Sequence, residues 1–219
     1  MVRMRVVIVA NGLIADSQVE MDRWVRVGDV VAAADGGTQH LLRCRIYPHH
    51  VIGDLDSLDP DVQADLAAHG TVFHPHPAHK DETDLELALL WAADTYPDAG
   101  IVVLGAMGGR PDLALANLLL LALPQLVGQA VMIADQDWTV CLLRDSACRE
   151  FRGAPGDTLS LIPLGGPANG VTTTGLAYPL DGESLAFGPA RGVSNMFLAE
   201  KAGVCVESGM VWVFQERKT

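Results

Sequence analysis

Positive charge is scarce in the middle of this chain. Between Ile46 and Leu143 the only basic residues are Lys80 and Arg110, against fourteen acidic ones, and the 219-residue chain carries a formal net charge of −12. So acidic a chain excludes a nucleic-acid footprint and a polybasic membrane patch. Aromatic residues are few, at 5%, while hydrophobic residues reach 49%, a balance ordinary for an α/β protein. The four cysteines (Cys44, Cys141, Cys148, Cys205) include no Cys-x-x-Cys pair. They read as small core residues in a reducing compartment, with neither a disulfide framework nor a zinc site. Long apolar runs are missing too. The start, MVRMRVVIVANG, is basic then apolar as a signal peptide would be, but its apolar run stops at once at Asn11-Gly12 and reads as a first β-strand. The leucine-rich run near Leu118 is interrupted by Asn117 and stopped by Pro124, too short for a bilayer. These absences set the expectation of a cytoplasmic protein. There is no Gly-x-Ser-x-Gly elbow, and Gly105 to Gly109 lack the Gly-Lys-Ser/Thr ending of a Walker A loop.

What the sequence does contain is a series of short apolar strands, each delivering polar residues at its end. Val6–Ala10 ends in Asn11-Gly12, and Val30–Ala34 ends in Asp35-Gly36-Gly37. Val51-Ile52-Gly53 leads into Asp54-Leu55-Asp56-Ser57, where extended backbone would turn both carboxylates to one side. Thr71–Phe73 predicts a fourth strand, followed by a proline-broken loop in which His74, His76 and His79 read as solvated, not as zinc ligands. Ile101–Leu104 leads into GAMGGRPD with Arg110 and Asp112, and Val131–Ala134 closes the series. Helices are expected over Gln18–Val27, Thr38–Arg43 and Ser57–Ala68, the last with Asp59-Pro60 as its start signal. Thr83-Asp84-Leu85-Glu86 is a capping box opening another, so Asp84 has a purely electrostatic reading in a first helical turn beside any chemical one. Asp35-Gly36-Gly37 likewise reads equally as a plain strand-to-helix turn. Lys80 and Asp81 lie outside the cap and are not explained by it.

Strands that are apolar on both faces and alternate with helices predict a parallel sheet covered on both sides, a Rossmann-like domain over residues 1–136. Ligands bind such sheets at the carboxyl ends of the strands, where Asp35, Asp54 and Asp56, Lys80 to Asp84, and Arg110 with Asp112 all fall. After about Gln136 glycine, proline, serine and threonine rise and short alternating runs appear: Thr158–Ile162, Val171–Leu176, Val204–Glu207 and Met210–Phe214. With Asp181-Gly182 and Ser208-Gly209 as hairpin-type turns, residues 137–219 predict a small all-β sandwich. Carboxylates with one lysine and one arginine suit magnesium and a polyphosphate: carboxylates hold the metal, and the cations offset phosphoryl charge.

The ordered set Asp35-Gly36-Gly37, Ile52-Gly53-Asp54-Leu55-Asp56-Ser57, Lys80-Asp81-x-Thr83-Asp84 and Gly108-Gly109-Arg110-x-Asp112 resembles the thiamine pyrophosphokinase family. So do Gly175-Leu176-x-Tyr178-Pro179-Leu180, Gly192-Val193-Ser194-Asn195 and Trp212. The resemblance implies transfer of a diphosphoryl group from ATP to the hydroxyl of thiamine, giving AMP and thiamine diphosphate. It implies a magnesium site at Asp54, Asp56 and Asp84, with Asp35, Gly36, Lys80, Asp81, Thr83, Arg110 and Asp112 around the ATP; Asp54, Asp56, Asp84, Arg110 and Asp112 are the expected catalytic residues, Asp112 to position or deprotonate the hydroxyl nucleophile. It also implies a thiamine pocket lined by Ser194, with Asn195 beside it, and Trp212, lying between the two subunits of a homodimer. From the residues alone, Ser194-Asn195 reads as a turn and Trp212 as a core aromatic. Leu113 stands where bacterial members commonly carry histidine. The alternatives are a pyrophosphokinase for another hydroxymethyl heterocycle, such as a pterin, and a non-catalytic thiamine or nucleotide sensor.

Overall fold

The computed structural model describes residues 4–216, which form two compact units, one ending at Gln136 and the other beginning at Asp137. The first is a parallel α/β unit. In chain order it runs β1 (Arg5–Val9), α1 (Ser17–Trp24), β2 (Val30–Ala34), α2 (Thr38–Arg43), β3 (His50–Gly53), α3 (Pro60–Ala68), β4 (Val72–Pro75), α4 (Asp84–Thr95), β5 (Gly100–Leu104), α5 (Pro111–Leu120) and β6 (Val131–Asp135). Its strands lie in the order β4-β3-β2-β1-β5-β6, all parallel. The order reverses direction between β1 and β5, so the loops leaving those two strands diverge and open a crevice at their carboxyl ends.

Both faces of the sheet are covered. Val7, Val9, Val31, Ala33 and Val51 pack with Met21, Trp24, Leu41 and Leu66 from α1 to α3, while α4 crosses β1, β2 and β3. Double coverage explains why the strands are apolar without alternation. Helix starts follow local chemistry. Asp16 accepts from the Gln18 and Val19 amides, Pro60 and Pro111 occupy first turns, and Thr83 accepts from Glu86. The proline start makes α3 shorter than expected, whereas α1 begins one residue earlier and ends sooner, at Trp24.

His74 belongs to β4, not to a loop. Its Nε2 lies 3.1 Å from Nδ1 of His50, and Trp91 packs against both rings. Burial, then the neighbouring His74 and His49, push the His50 pKa down to about 4; burial also lowers that of His74.

The second unit contains β7 (Trp138–Arg144), β8 (Ala147–Arg152), β9 (Thr158–Thr174), β10 (Glu183–Leu185), β11 (Asn195–Met196), β12 (Lys201–Val206) and β13 (Ser208–Glu216). β13 runs antiparallel between β7 and β9, and β12 antiparallel between β8 and β9. The two ladders enclose a core of Leu143, Phe151, Leu161, Val204, Val211, Val213 and their neighbours. Two expected short strands are one: Thr158 to Thr174 is continuous, with Gly165 and Gly170 taking positive φ where the strand bends. Ser208-Gly209 is not a hairpin turn, because β12 and β13 each pair with other strands. No helix among the described residues is long and apolar enough to cross a membrane.

One expectation fails outright. Cys148 on β8 and Cys205 on β12 face each other in the ladder, with Cα atoms 4.1 Å apart, and form a disulfide; Cys44 and Cys141 are free. Strand register brings together residues 57 apart, and spacing in sequence carries no such information. The cysteine argument for a reducing compartment falls with it.

Two outcomes are expected. Reducing the disulfide, or replacing both cysteines by serine, lowers stability by about 2–4 kcal/mol, read from thermal and urea unfolding. Because the folded His50 pKa lies at about 4, below its ordinary 6.5, the unfolded chain binds protons first as the solution acidifies. Stability is therefore complete above that ordinary value and declines as pH falls towards 4, and His50→Gln flattens this segment of a plot of urea midpoint against pH.

Candidate active site

The carboxyl edge of the parallel sheet gathers side chains from four loops. Asp35 follows β2 directly, has positive φ (38°) and opens a single 3₁₀ turn, Asp35–Gly37. Its carboxylate is buried, and Oδ1 meets no hydrogen-bond partner among the described residues. Gly36 and Gly37 let this turn sit against its neighbours. A Cβ on Gly36 would lie 2.4 Å from Asn11 Nδ2, and one on Gly37 would lie 1.9 Å from the Val9 carbonyl.

β3 ends at Gly53, where a Cβ would lie 2.7 Å from the Asp35 Cβ and 3.1 Å from Asp84 Oδ1. Only glycine admits that approach. Asp54 and Asp56 come next. Leu55 between them has φ 63°, so the segment turns instead of continuing extended, and Asp54 Oδ1 accepts from the Asp56 amide at 3.3 Å. Asp35, Asp54 and Asp56 each offer a carboxylate oxygen, and the three oxygens lie within 4.8 Å of one another. Asp84, at the start of α4, is held by Lys80, whose Nζ is 2.9 Å from Asp84 Oδ1 and 3.7 Å from Asp54 Oδ2. Of the expected trio, Asp54 and Asp56 are thus grouped with Asp35, while Asp84 adjoins them through Lys80. Thr83 caps α4, and Asp81 is exposed outside the group.

The electrostatics reflect this crowding. Burial, reinforced by Asp84, Asp54 and Asp56, raises the Asp35 pKa. The Asp54 charge raises that of Asp56, while Asp54 itself is lowered, chiefly by the Asp56 amide. The hydrogen bond to Asp84 keeps Lys80 charged. One ammonium does not balance four carboxylates, so the group favours a further cation. An all-oxygen donor set that includes a buried oxygen without a partner fits a hard divalent ion.

Beside the carboxylates lies a cleft of about 370 Å³, lined by Asn11, Gly12 and Leu13 after β1, by Thr83 to Leu85, and by Gly105, Ala106, Gly108 to Arg110, Leu113 and Asn117 after β5. It occupies the crevice where the strand order reverses. Asn117 Nδ2 donates to the Ala106 carbonyl at 2.7 Å and fixes the loop after β5. Arg110 donates twice to Asp112, from Nη2 at 2.5 Å and from Nε at 3.2 Å, and both side chains are largely exposed. That pairing lowers the Asp112 pKa. Asp112, expected as a catalytic carboxylate, therefore has both oxygens committed to Arg110. Asn11, Gly12 and Asn117 were not among the residues singled out from the sequence. An Asn-Gly pair after the first strand was their available signal.

The second unit carries the other expected residues. Ser194 is exposed, has φ 62°, and its amide donates to Ser160 Oγ at 2.9 Å. Asn195 is buried: Oδ1 accepts from the Tyr178 and Met196 amides, and Nδ2 donates to the Tyr178 carbonyl. So engaged, the Asn195 amide fixes the turn that presents Ser194, with one Nδ2 N–H not used in these bonds. Trp212 is not part of the sandwich core. Its neighbours Val211 and Val213 enter that core, so alternation along β13 turns Trp212 to the opposite face. There its ring meets Phe214 edge-on, and Nε1 has no hydrogen-bond partner among the described residues.

Residues 22–133 match the family model described as "Thiamin pyrophosphokinase, catalytic domain", and residues 149–211 match "Thiamin pyrophosphokinase, vitamin B1 binding domain". The chain is 30% identical to "Thiamine pyrophosphokinase 3" of Oryza sativa subsp. japonica over 186 residues, covering 80% of this chain and 69% of that protein. It is 28% identical to "Thiamine pyrophosphokinase" of Bacillus subtilis (strain 168) over 177 residues, covering 81% and 82%. A crystal structure of thiamine pyrophosphokinase from Bacillus subtilis superposes with a TM-score of 0.83 at 25% identity, over 98% of this chain and 100% of that one.

Gly53→Ala tests the packing of the carboxylates. The added methyl must displace Asp35 or Asp84, so the variant is expected to lose about 1–3 kcal/mol of stability and to bind magnesium more weakly by calorimetric titration. Unchanged magnesium binding would show that the approach of Asp35 and Asp84 to Gly53 does not shape the cation site.

Proposed function

The chain belongs to the thiamin pyrophosphokinase family, and from that membership we infer that it transfers a diphosphoryl group from ATP to the hydroxyl of thiamine, giving thiamine diphosphate and AMP. The match of residues 149–211 to a vitamin B1 binding domain favours thiamine over a pterin or another hydroxymethyl heterocycle. The assembled carboxylates and their lysine favour an enzyme over a sensor.

We propose that ATP occupies the cleft between the loops after β1 and β5, with its phosphates towards the carboxylates. Asp54, Asp56 and Asp84 would hold magnesium, joined by Asp35; the orphaned buried oxygen of Asp35 supports its inclusion. Magnesium, held by these residues, would supply the positive charge that offsets the phosphate oxygens. Lys80, anchored by Asp84 and Asp54, places a fixed ammonium beside the same oxygens. Arg110, held in a two-point grip by Asp112, keeps its remaining N–H groups for phosphate. In this reading Asp112 is a positioning residue for Arg110, not the base that takes the thiamine proton. Gly36 lets the Asp35 turn close on Asn11, Thr83 sets the start of α4, and Asp81 belongs to the rim of the ATP site.

Ser194 and Trp212 are proposed to line the thiamine pocket, placed at the interface of a homodimer. An indole face suits a cationic aromatic ligand, and the buried Trp212, on the face of β13 away from the sandwich core with Nε1 unpartnered among the described residues, supports that assignment. We place the enzyme in the cytoplasm, where ATP is maintained.

The single observation that carries the reading is the convergence of Asp35, Asp54, Asp56, Asp84 and Lys80 at the end of a sheet whose chain matches both family domains. Purified protein with ATP, magnesium and thiamine is expected to yield AMP and thiamine diphosphate together by mass spectrometry. Asp54→Ala is expected to lower turnover by about two orders of magnitude or more while the protein stays folded by circular dichroism. Near-wild-type turnover in that variant would falsify the metal assignment, and ADP with thiamine monophosphate would show that the wrong phosphorus is attacked.

A further inference from the structure

His40 on α2 is a buried titratable side chain that the reaction as described does not use. It is 7% exposed and bridges two other segments: Nε2 lies 3.0 Å from the Gly12 carbonyl and Nδ1 lies 3.0 Å from Ser17 Oγ. A carbonyl only accepts, so Nε2 carries the proton, and Nδ1 accepts from the Ser17 hydroxyl. Burial lowers the His40 pKa against the opposing effect of the Gly12 carbonyl, which suits the neutral ring this pattern requires.

The other side of Gly12 is fixed as well. Its amide donates to the Gly105 carbonyl at 2.8 Å, and a Cβ there would lie 2.3 Å from that oxygen. Residue 12 is thus held between the loop after β5 and His40, while Asn11 and Leu13 on either side are exposed. All three line the 370 Å³ cleft. α2 has anchors besides His40: Leu41 enters the apolar core, and Thr38 Oγ1 donates to the Asp35 carbonyl at 2.7 Å.

We propose that His40 is a positioning residue for ATP: by holding the Gly12 carbonyl it keeps the Asn11–Leu13 wall of the cleft in its nucleotide-binding shape without touching the nucleotide. The proposal rests on the reading of that cleft as the ATP site. Ser17 supports the ring from behind, so its removal has a smaller effect in the same direction.

The test separates the two substrates. ATP affinity is measured by calorimetry with magnesium and without thiamine, and steady-state kinetics give KM for each substrate. His40→Phe, which keeps an aromatic ring and removes both hydrogen bonds, is expected to weaken ATP binding and raise KM for ATP about tenfold, with KM for thiamine unchanged. His40→Gln, which restores an N–H donor towards Gly12, is expected to recover most of the loss. Folded His40→Phe with wild-type ATP affinity overturns the proposal, as does a parallel rise in both KM values. Should His40→Phe not fold, Ser17→Ala decides: a rise in the ATP dissociation constant of about threefold with unchanged KM for thiamine supports the proposal, and unchanged ATP affinity overturns it. Wild-type protein that fails to bind ATP would overturn the reading of the cleft and this proposal with it. ATP binding that is insensitive to these variants overturns the His40 role alone.

Discussion

Four carboxylates and one ammonium share the carboxyl edge of the parallel sheet, and the repulsion among them is the constraint to which the surrounding structure answers. Lys80 reaches two of the four, and the Asp56 amide steadies Asp54. Asp35 is left buried with a raised pKa and an unpartnered oxygen. A protein optimised for stability alone would spread these charges apart. Their concentration at one place suits a bound divalent cation, the role proposed for it above.

Absence of side chains makes that concentration possible. Gly53 admits Asp35 and Asp84, Gly36 admits Asn11, and Gly12 admits the Gly105 carbonyl. The loops after β1, β2, β3 and β5 are therefore tightly packed, against side chains at Gly53 and Gly36 and against backbone at Gly12. The arrangement joins rigid support to polar function. The strands beneath are apolar on both faces and fully covered, and the reversal of strand order between β1 and β5 leaves open the one crevice into which the loops project.

The alternation of apolar strands with helices is legible in the sequence because burial on both faces leaves a signature in composition. The polar residues at strand ends are legible for the same reason, since they interrupt it. The reach of Asp35 towards Asp54 and Asp56 is not legible, because it depends on Leu55 adopting a positive φ that no local pattern announces. The two-point grip of Asp112 on Arg110 and the commitment of the Asn195 amide to Tyr178 are likewise matters of rotamer and register. The disulfide shows the limit most clearly: it follows from the pairing of β8 with β12, and β8 itself is absent from the expected set of strands. His40 gives no sign of its role, since its partners Gly12 and Ser17 are reached through tertiary packing alone.

The placement of β13 between β7 and β9 bears on how the second unit is made. During synthesis β7 and β9 emerge first, and the strand that joins them, residues 208–216, follows more than thirty residues after β9 has ended. Until then each leaves a row of backbone groups without its eventual partner, an edge prone to pairing with other chains. The nascent polypeptide therefore passes through an interval in which β9 can already pair with β10, β11 and β12 while the edges of β7 and β9 that β13 will join stand open.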